Sequence, residues 1–257
     1  MKAQPEARQA DGEKHLGSGA PPIPRWKRAC DLVLTLLSSP LWLPVAALIA
    51  IGIKLHSRGP ILFKQLRVGY RGTLFTCLKF RSMKVGADQA RHKTHLERLI
   101  RSGAPLVKLD ERGDERVFGF GKLLRATGLD ELPQLINVLR GEMSIVGPRP
   151  CLPYEYAAYP EWAKKRFEAL PGLTGYWQVY GKNRTTFYQM IQMDIWYVEH
   201  CSPRLDFLII ARTPVVVARQ FIEMLVRRRW RAADTGQTVD SAADAQKPEL
   251  VKNLVGR

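Results

Sequence analysis

From Leu32 to Ile53 the chain runs for 22 residues without a charged side chain, and no other feature limits its folding as much. As one straight helix the run would reach roughly 33 Å, enough to cross the hydrocarbon core of a bilayer. Ser38-Ser39-Pro40 and then Pro44 interrupt it. A proline inside a helix removes one backbone hydrogen bond and its ring clashes with the preceding turn, so a break is expected near Ser39 and Pro40. Both flanks are basic, with Arg25, Lys27 and Arg28 before the run and Lys54, Arg58, Lys64 and Arg67 after it. Positive charge marks the cytoplasmic end of a membrane segment, so both flanks assign the same side. A helix that enters, bends at Ser39-Pro40 and leaves by the leaflet it entered satisfies both. A single-pass anchor with a tolerated proline kink is the competing arrangement. A cleaved signal peptide is disfavoured, because about 30 residues precede the run and no small-x-small site closes it.

The whole chain of 257 residues, 46% hydrophobic, can bury one sizeable core and little more. Its formal net charge of +16 asks for an acidic partner, and nucleic acid, an anionic lipid surface or a nucleotide would each serve. Cys30, Cys77, Cys151 and Cys201 lie far apart with no C-x-x-C pair, which reads as reduced thiols in a cytoplasmic setting. Residues 1–24 read as a disordered leader, 25–57 as the proline-broken membrane helix, 58–226 as a core on the cytoplasmic face and 227–257 as a basic, flexible tail.

Within that core, two apolar stretches between Ile61 and Met83 flank Tyr70-Arg71-Gly72 and predict a β-hairpin, with Lys79 and Arg81 on one face of its second strand. Residues 87–102 read as a solvated helix or insertion, and His92 and His95 there lack further zinc ligands. A short helix is expected over Phe120–Ala126, ended by Thr127-Gly128. Asp130 is then expected to cap a helix running from Glu131 to Arg140, with Gly141 as its stop. Pro171–Gly175 reads as a turn-rich link, Tyr176–Val179 as a short strand and Thr186–Glu199 as a helix. Asp206–Leu225 is apolar but carries Arg212, Arg219 and Glu223, which suits a helix lying in the membrane interface. The fold class is therefore mixed α and β, mostly helical, with a re-entrant helix, a hairpin, catalytic helices and interfacial amphipathic helices.

Two adjacent carboxylates, Asp130 and Glu131, sit between Arg125 and the Gly147-Pro148-Arg149-Pro150 turn. Ordinary helix punctuation would explain an Asp followed by a Glu. The functional alternative is that cations and helix amides draw in a phosphate and present it with a nucleophile or a metal ligand. Gly119-Phe-Gly121-Lys122 echoes a phosphate loop but lacks its spacing.

Taken together, these segments resemble the bacterial sugar transferases, the monotopic polyprenyl-phosphate phosphoglycosyltransferases that prime envelope glycoconjugates. The resemblance rests on the Ser39-Pro40 break, Gly59-Pro60, Phe63, Gln65-x-Arg67-x-Gly69, Gly72, Phe75 and Lys79-Phe-Arg-Ser-Met83. It continues through Leu124-Arg125, Asp130-Glu-Leu-Pro-Gln134, Asn137-Val-Leu-x-Gly-x-Met-Ser144, Val146-Gly-Pro-Arg-Pro150, Pro171-Gly-Leu-Thr-Gly175 and Asp194-x-x-Tyr197. No four-helix membrane domain stands ahead of Trp26, so the likeness is to the short members that hold the catalytic core alone.

The resemblance implies transfer of a sugar phosphate from a UDP-sugar to undecaprenyl phosphate, with release of UMP, through a covalent intermediate on Asp130 assisted by Glu131. It implies magnesium held at Asp130 and Glu131, phosphate contacts from Lys79, Arg81, Arg125 and Arg149, and further site positions at Asp194 and Tyr197. It also implies a place on the bacterial inner membrane among anionic lipids, with no nucleic-acid partner; self-association is left open. The insertion from Gly86 to Val117 has no counterpart to carry over. A non-enzymatic, membrane-anchored basic scaffold or nucleic-acid binder is the competing class, and it accounts for neither the paired carboxylates nor the Gly-Pro-Arg-Pro turn.

Overall fold

A computed structural model describes residues 23–84, 116–182 and 184–234. The leader, the insertion with His92 and His95, and most of the tail lie outside the described residues. The chain divides into two compact units, 1–217 and 218–257, and everything that positions the candidate site belongs to the first.

The apolar run forms two helices rather than one: α1 (Arg25–Leu37) and α2 (Ser39–His56). Pro40 stands in the first turn of α2, where its missing N–H costs nothing. The carbonyls left at the end of α1 find side-chain donors. Ser38 Oγ donates to Leu34 O at 2.6 Å, Ser39 Oγ to Leu36 O at 2.7 Å and Trp42 Nε1 to Thr35 O at 3.1 Å. Any break of this kind in hydrocarbon would need such donors, since no water would be there to take those bonds.

α1 is inside-out. Lys27, Asp31 and Thr35, spaced four apart on one face, are buried against the core, while Val33, Leu34, Leu36 and Leu37 are exposed. Lys27 Nζ pairs with Asp206 at 2.6 Å and donates to Tyr197 Oη at 2.9 Å; that hydroxyl donates to Asp206 at 2.7 Å. Asp31 accepts from Ser144 Oγ and from the Ile145 N–H, both at 2.9 Å. Arg28 donates to the carbonyls of Val138 and Leu139. At the far end of α2, Ile49 and Ile53 pack with Phe80, Phe118 and Leu124. Both ends of the helical pair are thus seated on one folded body, and the apolar stretch between them faces outward, Leu41 and Leu48 included.

The hairpin forms as expected. β1 (Leu62–Val68) pairs antiparallel with β2 (Leu74–Phe80) in a register that sets Phe63 opposite Lys79 and Arg67 opposite Phe75. Arg71 and Gly72 turn the chain with positive φ angles of 53° and 78°. α3 (Gly119–Thr127) and α4 (Gln134–Arg140) follow, then β3 (Ser144–Val146), α5 (Pro153–Ala157) and a 3-10 segment over Glu161–Glu168. β4 (Gly172–Thr174) pairs in parallel with β3, and α6 (Tyr176–Tyr180), α7 (Phe187–His200) and α8 (Pro203–Asp234) complete the order. Thr186 caps α7 with a reciprocal bond to Gln189. The main core gathers Val68, Cys151, Tyr159, Phe167, Trp177, Phe187, Met190 and Ile191.

Two sequence expectations change here. Tyr176–Val179 is helical, because Trp177 turns inward to the core and its Nε1 reaches Thr185 Oγ1 at 2.8 Å in the loop that follows. The strand lies just before it instead, at Gly172–Thr174, where pairing with Ser144–Val146 supplies the backbone partners.

Lys27→Met should leave Asp206 buried without its cation and destabilise the detergent-purified protein by about 3–5 kcal/mol. Pairing it with Asp206→Leu should recover most of that loss. Thermal unfolding of the single and double variants checks both.

Candidate active site

The two carboxylates lie in a turn made by three neighbours. Gly128, at φ 72°, ends α3 in a left-handed conformation that disfavours side chains. Leu129–Glu131 then form a 3-10 turn, and α4 does not begin until Gln134. The expected helix from Glu131 with Asp130 as its cap is therefore corrected. Pro133 lacks the N–H that an α-helix would offer to Leu129 O, so that carbonyl accepts from Leu132 N at 3.3 Å in the tighter pattern. Asp130 is buried, and Glu131, half-buried, pairs with Lys79 from β2 at 2.7 Å.

Arg149 reaches the same place from β3. The Gly147–Pro150 turn and the Pro171–Gly175 segment, both unexplained as isolated motifs, pack backbone against backbone. Gly147 N donates to Thr174 O and Gly172 N to Pro148 O, each at 2.9 Å. A methyl group on Gly147 would strike Leu170 O, one on Gly172 would strike Gly147 N and Thr174 O, and one on Gly175 would strike Gly147 O. Only glycine permits this approach. Behind the turn, Arg166 donates to Arg149 O at 2.9 Å and to Asp194 at 2.5 Å, with both partners of the ion pair buried. Burial pushes the Asp194 carboxyl up to about 6, against the attraction of Arg166. The guanidinium of Arg149 itself makes no ion pair or hydrogen bond to the described residues.

Between these elements lies a solvent-open cleft of about 260 Å³, bordered by Lys79, Glu131, Gln134, Arg149, Pro150, Gly172, Leu173, Gln178, Cys77 and Arg67. The structure thus gathers Glu131, Lys79 and Arg149, with Asp130 in the same turn. Arg81, Asp194 and Tyr197 do not line the cleft. Arg81 clamps the end of α2, donating to Pro60 O, Ser57 Oγ and Ser57 O at 2.6, 3.0 and 2.9 Å. Arg125 approaches Ser82 Oγ at 3.4 Å. Asp194 and Tyr197 are buried behind the cleft, in the Arg166 and Lys27 networks respectively. Ser39 and Pro40 mark the helix break. Among the cleft residues absent from the sequence-derived set are Arg67, Gln134 and Gln178. Arg67 was within reach, as an inward-facing arginine of the Gln65-x-Arg67-x-Gly69 strand. Gly121, from the weak phosphate-loop echo, is a packing residue, since a methyl there would strike Ser82 O.

The described residues contain no cluster of three His, Cys, Asp or Glu side chains. A dedicated protein cage for a cation is therefore not present among them. Magnesium is commonly held by one or two carboxylates with substrate phosphates and water supplying the rest, and Asp130 with Glu131 fits that donor set.

With this geometry in view, comparison with known proteins is decisive. A family model described as bacterial sugar transferase matches residues 24–220. The chain belongs to the bacterial sugar transferase family. Among its relatives, a UDP-glucose:undecaprenyl-phosphate glucose-1-phosphate transferase of Caulobacter vibrioides is 41% identical over 206 residues, covering 75% of this chain and 71% of that protein. The exopolysaccharide production protein ExoY of Sinorhizobium fredii is 36% identical over 198 residues, covering 73% and 83%. An undecaprenyl-phosphate galactose phosphotransferase of Salmonella typhimurium is 34% identical over 201 residues, or 74% of this chain and 39% of that one. This sugar transferase is thus matched from the start of α1 into α8, across every element that shapes the cleft.

Gly172→Ala should push β4 off the Arg149 turn, and a displacement of about 1 Å there should lower turnover roughly 100-fold. Gly119→Ala, whose added methyl meets nothing within 4 Å, should keep both activity and melting temperature. Turnover and thermal unfolding of the two variants make the comparison.

Proposed function

We propose that this protein transfers a sugar phosphate from a UDP-sugar to undecaprenyl phosphate, releasing UMP and leaving a polyprenyl-diphosphate-sugar, the priming step of a surface glycan. The observation that carries the reading is the meeting, at one cleft, of Glu131, with Asp130 beside it in the same turn, and a guanidinium, Arg149, that has no ion pair among the described residues, in a body that seats an outward-facing apolar helix pair. The acidic pair supplies a nucleophile, Arg149 neutralises phosphate charge, and the helix pair brings the body to the lipid. The relatives' names support the same chemistry.

In the first half-reaction an Asp130 carboxylate oxygen attacks the phosphorus that bears the sugar. The bond to the UMP oxygen breaks, UMP leaves with the electron pair, and an aspartyl phosphosugar remains. In the second, an oxygen of the lipid phosphate attacks the same phosphorus and Asp130 departs as carboxylate. Neither step needs much proton traffic, so the chain's task is to position groups and offset charge. Lys79 holds Glu131 beside the nucleophile, and Arg149 offers a planar fork to phosphate oxygens. Magnesium, bound through Asp130 and Glu131, would neutralise the diphosphate.

The helix pair supports a location at the membrane. Both ends resting on one body suits entry and exit through a single leaflet, and the positive flanks suit the cytoplasmic leaflet of the inner membrane. Single cysteines placed near residues 25 and 58, in a background without native thiols, should be equally protected from an impermeant reagent in intact cells. Labelling of one end alone would indicate a spanning anchor.

Asp130→Asn should abolish turnover and covalent labelling while keeping the fold, because the amide is isosteric but a very poor nucleophile. Wild-type protein given sugar-labelled UDP-sugar without lipid acceptor should trap label on the peptide containing Asp130, with about one UMP released per site. UMP release that requires undecaprenyl phosphate, with no trapped adduct, would replace the two-step path by direct transfer. No UMP release from any of a panel of UDP-sugars with the lipid phosphate would overturn the transferase reading.

A further inference from the structure

Arg67 is the unusual charge of this cleft. It projects from β1 and only 8% of its surface is exposed. Its Nε and Nη2 donate to Gln65 Oε1 at 3.2 and 2.7 Å, and its Nη1 donates to Pro150 O at 3.0 Å. Both acceptors are neutral. No carboxylate lies within ion-pair distance among the described residues. The acidic group whose field reaches it is Glu155, and that side chain is occupied by the Leu152 N–H at 2.9 Å. The larger charge effect on Arg67 comes from Arg149, which is of the same sign.

A buried cation costs several kcal/mol unless an opposite charge and hydrogen bonds compensate it. Here two guanidiniums border one cleft, and neither has a carboxylate partner among the described residues. Of the five N–H donors of Arg67, three are used, which leaves one on each Nη. That is the spacing with which a guanidinium grips two oxygens of a phosphate. Gln178, lining the same cleft, has a buried Oε1 that accepts no hydrogen bond, while its Nε2 is held by Leu173 O at 3.1 Å.

We propose that Arg67 and Arg149 form a two-arginine clamp for a phosphate or diphosphate ester, with Gln65 and Pro150 fixing the plane of the Arg67 guanidinium. The clamp rests on the transferase reading for its substrates, which are the diphosphate of the sugar nucleotide and the phosphate of the lipid acceptor. Arg67 would then touch substrate directly rather than serve as a strut between β1 and the Arg149 turn.

The test uses the full chain in detergent and measures its affinity for UDP, for uridine and for a short-chain prenyl phosphate by ligand-dependent thermal stabilisation. UDP or the prenyl phosphate should stabilise the wild type and uridine should not. Arg67→Lys keeps the charge but loses the fork, and should weaken the phosphate ligand about tenfold. Loss in the UDP arm places the clamp on the donor, and loss in the prenyl phosphate arm places it on the acceptor.

Gln65→Glu covers the case in which the lysine variant does not fold. It sets a carboxylate against Arg67, so the ligand-free protein should be at least as stable while phosphate affinity falls about tenfold through internal competition. Unchanged affinity for both phosphate ligands in the folded variants would overturn the clamp and leave Arg67 a strut. Turnover of UDP-sugars with normal phosphate affinity in both variants would sink the clamp alone. Phosphate binding that depends on Arg67, in a wild type that transfers no sugar phosphate, would sink the transferase reading and keep the clamp.

Discussion

The buried pairing of Lys27 with Asp206 and Tyr197 fixes α1 on the body, and much else hangs from α1. The same helix presents Asp31 to Ser144 and Ile145 in β3, the strand that leads into the Arg149 turn, and Arg28 to the last carbonyls of α4, the helix that follows the carboxylates. Membrane helix and cleft therefore share their hydrogen bonds. An α1 that shifted along its axis would strain both walls of the cleft together. The inverted helix follows the same division: its polar face is partnered within the protein and its apolar face is exposed among the described residues, a pattern that suits a lipid medium.

A second constraint is close backbone packing. Arg149 is held by a turn whose glycines exclude side chains, and its carbonyl is gripped from behind by Arg166, itself neutralised by Asp194. None of these supporting groups needs to touch a substrate to matter. In a reaction governed by placement and charge rather than proton transfer, an arginine displaced by a fraction of an ångström loses its fork geometry on the phosphate.

The sequence disclosed the elements whose signals are local. The Ser39-Pro40 break, the Tyr70–Gly72 turn, Gly128 after α3 and Gly141 after α4 each depend on one residue's own conformational chemistry, and each lies where it was expected. What stayed hidden depends on distant partners. Gly172–Thr174 looked like a loop because its strand character comes from Ser144–Val146, and Tyr176–Val179 looked extended because its aromatic residues favour strands in general. The candidate site shows the same division. Asp130, Glu131 and Arg149 stood out as clustered charge in short motifs, but Arg67 and Gln178 enter the cleft only through folding. Asp194 and Tyr197, spaced as neighbours on one helix, proved to be buried members of two separate networks.

The 3-10 turn at the carboxylates explains why two consecutive acidic residues can serve unlike purposes. With three residues per turn, neighbouring side chains diverge by about 120°. Asp130 is buried in the turn beside the cleft, while Glu131 reaches Lys79 at the cleft wall. Two like charges on successive residues would repel if both faced one point, and the divergence together with Lys79 relieves that. Pro133 keeps the turn from relaxing into the first coil of α4, since it withholds the N–H that the longer bond would require. The acidic pair is thus made by its flanks: Gly128 on one side opens the turn, Pro133 on the other prevents its conversion, and Lys79 on β2 holds Glu131.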